Sequence, residues 1–264
     1  MILSSPSALN YIPKKIISLV PSQTELLHYL GLEDETIAIT KFCVHPENWF
    51  RTKTRIGGTK TLNIEKIIEL DPDLIIANNE ENVKEQVEML AEKFPVWVTD
   101  VVDLATSIKM IGDIGQLVGK EDDANNLELR IMNVFKALED EIKARKTAPI
   151  RSAYFIWKNP YMTIGGDTFI NDMMKRCGLK NIFEDEKRYP EVNIEQLKKM
   201  NCELVLLSSE PFPFAEKHIT ELQVELPGVK ILLADGEIFS WYGSRLLEAG
   251  SYFRKFVQDL RFKI

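Results

Sequence analysis

The chain has 264 residues, 45% of them hydrophobic, and a formal net charge of −7. That length and apolar content suit one large or two medium domains with ordinary cores, and the acidic balance argues against a nucleic-acid partner, which would select a basic face. No stretch approaches the roughly 18 apolar residues of a membrane span, so the chain is read as not membrane-embedded.

The opening, MILSSPSALNYIPKKIISLV, has no positive region followed by an apolar run of roughly 7–15 residues, so it is not read as a secretory signal. The run IISLV (16–20) is short, apolar and β-branched, hence a strand. PSQTELLHYLG follows, and Ser22 with Glu25 predicts a capping box at the start of a helix that Gly31 ends. TIAIT (36–40) is the next strand. Residues 41–61 read as a long irregular loop, the kind that in a compact domain carries function, and its aromatics argue against disorder. Asn63 caps a short helix that stops at Asp71-Pro72. The strand LIIA (74–77), a helix over 80–93, the strand VWVTD (96–100) and a helix over 103–118 then alternate, which is the pattern of a parallel α/β sheet.

From Glu121 to Lys146 the apolar residues Ala124, Leu127, Ile131, Val134, Phe135, Leu138 and Ile142 line one face of a single long helix without Gly or Pro. After Pro149 come the strand SAYFIW (152–157), a second strand and turn at 161–166, and a helix from Asp167 to Cys177-Gly178. A helix over 193–200, the strand LVLLSS (204–209), a helix near 214–225 and the strand KILLAD (230–235) follow. An aromatic loop (236–243) and a last helix to about residue 260 close the chain.

One segment occurs twice. Residues 63–80 read NIEKIIELDPDLIIANNE and residues 193–210 read NIEQLKKMNCELVLLSSE. The spacing is far too long for a solenoid unit and implies two related lobes, hence a cleft suited to a small ligand. The expected organisation is an α/β fold of two Rossmann-like lobes with parallel-type sheets, residues 1–118 and 149–264, joined by a long rigid spine helix within 119–148.

Nucleophilic chemistry finds little support. There is no GxSxG motif, and the three cysteines, Cys43, Cys177 and Cys202, form no CxxC pair and read as free thiols. The histidines lack metal-ligand spacing; His45, in the long loop, is only a weak metal candidate. The chain is therefore read as a non-enzyme that requires no cofactor. Aromatic residues gather instead at predicted strand ends, where α/β sheets bind ligands. They include Phe42, Trp157, Tyr189, Phe239 and Trp241, with Arg51, Arg55, Arg188 and Arg245 available for anionic groups. Glu65 and Glu195 hold the same place in the two repeats, in the first turn of each helix, where a carboxylate also suits the helix dipole.

The blocks IISLVPSQTELLHYLG, LNIEKIIELDPDLIIA, GLKNIF and YPEVNIEQL, with the long central helix, resemble the helical-backbone metal receptors, substrate-binding proteins of ABC importers for cobalamin and ferric siderophores. The resemblance covers nearly the whole chain. It implies a monomer that holds a corrinoid, or else a ferric siderophore or haem, in the inter-lobe cleft. It implies docking on an ABC permease through Glu65 and Glu195, and a periplasmic or cell-envelope location; a cytoplasmic corrinoid-binding protein is the alternative that the opening residues leave. Aligned with cobalamin-binding members, the aromatic wall positions fall on Phe42, Asn78, Met162 and Tyr189, with one more near Thr59. Trp157, Phe239, Trp241 and Arg245 complete the expected ligand set.

Overall fold

The computed structural model describes residues 1–262. Packing divides them into two units. Unit 1 holds Met1–Val101, Ala105–Ile131 and Trp241–Leu246; unit 2 holds Val102–Leu104, Met132–Ser240 and the chain from Leu247 onward.

In unit 1 the elements run β1 (Ile16–Ser18), α1 (Pro21–Tyr29), β2 (Thr36–Ile39), α2 (Glu47–Thr52), β3 (Thr54–Arg55), the ribbon β4 (Gly57–Gly58) and β5 (Thr61–Leu62), α3 (Ile64–Leu70), β6 (Leu74–Asn78), α4 (Lys84–Ala91), β7 (Val96–Thr99) and α5 (Leu104–Leu117). The sheet order is β3-β2-β1-β6-β7, with every adjacent pair parallel. All three residues of β1 and all five of β6 are buried, so both strands are central and covered on both faces. The helix α6 (Glu121–Ala144) begins in unit 1 and continues into unit 2. At about 1.5 Å per residue it is roughly 36 Å long, and it buries Ala124, Leu127, Ile131, Phe135 and Leu138 along one face.

Unit 2 continues with β8 (Ile150–Phe155), β9 (Tyr161–Met162), α7 (Phe169–Arg176), β10 (Leu179–Asn181), β11 (Glu191–Val192), α8 (Ile194–Lys199), β12 (Leu204–Ser208), α9 (Glu216–Glu225), β13 (Lys230–Ala234), α10 (Gly236–Ser240) and α11 (Leu246–Phe262). Its sheet, again all parallel, has the order β10-β8-β12-β13. Parallel neighbours need a crossover, and the helices between strands supply it. In both units the chain first moves outward on one side of the opening strand and then returns to its other side. The reversal falls between β1 and β6 in unit 1 and between β8 and β12 in unit 2.

The repeat is visible in the hydrogen bonds. Asn63 and Asn193 cap α3 and α8, their Oδ1 atoms accepting from Lys66 and Gln196 N–H at 3.0 Å each. Past those helices Asp71 and Asn201 take left-handed φ values of 48° and 50°. The Asp73 carboxylate accepts the backbone N–H groups of Lys14 and Lys15, both at 2.8 Å, just before β1. Glu203 accepts that of Arg151 at 2.8 Å, at the start of β8. The Lys15 ammonium and the Arg151 guanidinium donate to the last carbonyls of the repeat helices, Leu70 and Asp71 in one case, Met200 and Asn201 in the other. Each repeat thus ties a helix C-terminus and a strand start together with one acid and one base.

Three local expectations are corrected. The Ser22–Glu25 capping box does not form: Val20 is the N-cap, Pro21 takes the first helical position, and the Glu25 carboxylate turns to Arg245 instead. The loop 41–61 contains α2, the edge strand β3 and the β4–β5 ribbon. The loop 236–243 opens with the short helix α10, which carries Phe239.

Candidate functional site

Ligands in open parallel sheets bind beyond the carboxyl ends of the strands, where the strand order reverses. In unit 1 that place lies past β1 and β6. Asn78, the last residue of β6, is 3% exposed, and its side chain is fully engaged. Its Oδ1 accepts from the N–H groups of Glu80 and Glu81 at 2.8 and 3.1 Å, and its Nδ2 donates to the Thr99 carbonyl and hydroxyl at 3.2 and 3.1 Å. Asn82 returns to the Asn78 N–H at 2.8 Å and donates to the Thr59 carbonyl at 3.1 Å. Gln23 donates to the same Thr99 hydroxyl at 2.5 Å. The position where an aromatic wall was expected thus holds a turn-building amide. A small polar side chain can bond the backbone two residues on, and a ring cannot.

Phe42 follows β2 and is 50% exposed. A Cβ on Gly58 would stand 3.1 Å from its Cε2, so the bare glycine lets the ring lie close against the ribbon. The Lys41 ammonium lies 5.1 Å from the ring centroid. The turn beneath is anchored by Cys43, whose buried Sγ receives the Thr24 hydroxyl at 3.1 Å. Burial pushes that thiol's pKa up, and the Thr24 hydrogen bond opposes the rise. Cys43 is therefore an inert structural thiol. His45 sets its ring edge-on to Trp241, with centroids 5.5 Å apart.

In unit 2 the corresponding place lies past β8 and β12. Trp157 is 41% exposed and meets Phe212 at 5.7 Å; Phe212 meets Phe214 at 4.7 Å and His218 at 5.4 Å. His218 Nδ1 accepts the Ala215 N–H at 2.9 Å, so it also closes the start of α9. Sequence reasoning missed this cluster; the alternation of Phe and Pro over 211–214 was its only signal. Met162 pairs with Glu191 across the β9–β11 ribbon, and the Thr163 N–H donates to the Pro190 carbonyl at 3.0 Å. That pairing brings Met162 and half-buried Tyr189 to one ribbon although they are distant in sequence.

Two expected ligand contacts are otherwise occupied. Phe239 is fully buried, its ring 5.2 Å from Tyr154, 4.9 Å from Phe253 and 6.1 Å from Phe256. It is a core residue of unit 2, because α10 turns it inward. Arg245, in unit 1, makes a two-point pair with Glu25, Nε to Oε2 at 3.0 Å and Nη2 to Oε1 at 2.8 Å, and stacks on Trp241, itself 7% exposed.

Glu65 and Glu195 are both exposed and stand at the second position of α3 and α8. Glu195 Oε1 accepts from Lys198 at 2.8 Å, and that hydrogen bond holds its carboxyl below the ordinary value. Among the described residues no group of three or more His, Cys, Asp or Glu side chains could hold a metal ion, and no helix is long and apolar enough to cross a membrane.

Comparison with known proteins gives this architecture its relatives. The chain is 28% identical over 205 residues to an uncharacterised ABC transporter substrate-binding lipoprotein of Bacillus subtilis strain 168, covering 74% of this chain and 63% of that protein. It is 28% identical over 188 residues to a vitamin B12-binding protein of Vibrio vulnificus strain CMCP6, covering 70% of this chain and 67% of that protein. The fold matches that of a periplasmic haem-binding protein from Roseiflexus sp. RS-1 in its apo form, with a TM-score of 0.81 and 18% identity over 93% of this chain and 98% of that one. The family model for periplasmic binding proteins matches residues 16–224, and the chain belongs to that family.

Proposed function

We propose that this protein is the substrate-binding component of an ABC importer and that its cargo is a corrinoid. The observation that carries the reading is the family match spanning both copies of the internal repeat, joined to the kinship with a vitamin B12-binding protein. The strand ends add support. A large, flat, partly apolar chelate is held by aromatic faces and a few polar contacts. Unit 1 offers the exposed ring of Phe42, and unit 2 offers Trp157, Met162 and Tyr189. Binding needs no covalent step and no resident cofactor; the metal arrives inside the cargo.

Delivery would use Glu65 and Glu195, one exposed carboxylate from each repeat, as handles for cationic side chains of the membrane permease. The protein would then work in the cell envelope.

The test is a titration of the purified protein with aquocobalamin, cyanocobalamin, haem and a ferric siderophore, followed by tryptophan fluorescence and calorimetry. Saturable one-to-one binding of a corrinoid supports the reading. A response to haem or the siderophore alone keeps the receptor and changes the cargo. Silence with all four sinks the proposal. For docking, reversing both charges with Glu65→Lys and Glu195→Lys should abolish uptake and leave cargo affinity unchanged; unchanged uptake would make both carboxylates helix-start residues only.

A further inference from the structure

The segment Trp241–Leu246 is flanked on both sides by chain belonging to unit 2, yet it packs into unit 1. Its grip is specific. Arg245 and Glu25 pair through two parallel hydrogen bonds, with side chains only 11% and 21% exposed. The guanidinium also lies 4.7 Å from the Trp241 ring centroid. Trp241 then meets the edge of His45 at 5.5 Å and 71°. Tyr242, beside it, is buried. The contacts run in series from α1 through Arg245 and Trp241 to His45, three residues beyond Phe42.

The Phe42 turn has a second anchor, the Thr24 hydroxyl on Cys43 Sγ. Thr24 and Glu25 are neighbours on α1, so one helical turn secures the loop directly and the strap that braces it. A planar guanidinium held in two-point register by a carboxylate and stacked on an indole keeps little rotational freedom. That rigidity passes to His45 by ring contact. Trp241 and Arg245 have spent most of their surface on this assembly.

We infer that Trp241 and Arg245 are positioning residues: they brace the Phe42 loop through His45 and do not themselves contact cargo. The mechanical part stands on the geometry alone; its consequence for affinity rests on the proposed function.

Hydrogen exchange on the apo protein tests the brace. Arg245→Gln and Trp241→Ala should speed exchange of the amides of residues 41–45 about tenfold, with the central strands unaffected. Trp241→Phe, which keeps a ring for His45, should stay near wild type. Should Arg245→Gln fail to fold, Glu25→Gln breaks the same pair. Wild-type exchange over 41–45 in the folded variants overturns the inference. In the affinity arm, aquocobalamin is titrated into Phe42→Ala, Trp241→Ala and the double variant. Each single change should weaken binding by about fivefold to tenfold, and the double variant should be no weaker than Phe42→Ala. Additive losses would show direct contact by Trp241 and overturn the inference. Absence of binding by the wild type would instead sink the corrinoid reading, and the exchange data would decide the brace.

Discussion

Asn78 shows how one residue can be misread from its position alone. The family resemblance puts it among the expected aromatic wall positions, where it reads as a lost contact. In the fold it accepts two backbone N–H groups and donates to Thr99 twice over, with 3% of its surface exposed. Replacing it with Ala would strand the N–H groups of Glu80 and Glu81 and part of Thr99. Leaving buried polar groups unpaired costs about 1–3 kcal/mol. We predict that Asn78→Ala loses stability in that range in urea unfolding, whereas Asn78→Asp, which keeps the Oδ1 acceptor, loses less. Equal losses would show that the donor to Thr99 carries the effect. Phe239 and Arg245 are the converse. An aromatic and an arginine near a predicted strand end invite a ligand role, but which way α10 faces, and which acid Arg245 meets, depend on contacts made across most of the chain.

At the scale of elements, the duplicated acid–base tie makes a comparison possible inside one molecule. Asp73 accepts two backbone N–H groups, and Glu203 accepts one. Converting a carboxylate to an amide keeps one acceptor oxygen and turns the other position into a donor. We predict that Asp73→Asn destabilises by about 1–2 kcal/mol and Glu203→Gln by roughly half as much, read as shifts of the urea midpoint at constant slope. Reversal of that order would show that the ties to the helix ends, through Lys15 and Arg151, dominate. The helices and central strands were legible from sequence because they are set by local periodicity: Asn63 caps α3 as expected, and α6 ends at Ala144, two residues before its predicted end at Lys146. The short edge pieces β3, β10 and β11 were not legible. Two or three residues carry no periodicity, and their pairing partners lie elsewhere in the chain.

For the whole molecule, the buried titratable groups set the direction of its pH response. Burial pushes the Cys202 thiol up to about 11. Burial likewise raises Cys43 and Cys177, and the phenols of Tyr154 and Tyr242. In the unfolded chain thiols release their protons near pH 8.5–9. The folded state therefore binds more protons than the unfolded state above that pH, and stability falls as pH rises. We predict a melting temperature that is flat up to about pH 8.5 and declines steadily between roughly pH 9 and 11; a flat profile to pH 11 would show that these side chains are reached by solvent. The fold by itself does not choose a cargo, since the haem-binding protein of matching architecture shares it at 18% identity.

The sequence by itself determined the class of fold, the internal repeat, the long helix and the family, because these rest on local patterns: apolar periodicity, helix caps and motif blocks that each lie within a few turns of chain. Only the tertiary structure decided which side chains near the strand ends remain available. Glu25 is taken by Arg245, Phe239 by the core and Asn78 by its own turn. Those choices depend on contacts between residues far apart in the chain, and a linear pattern does not record them.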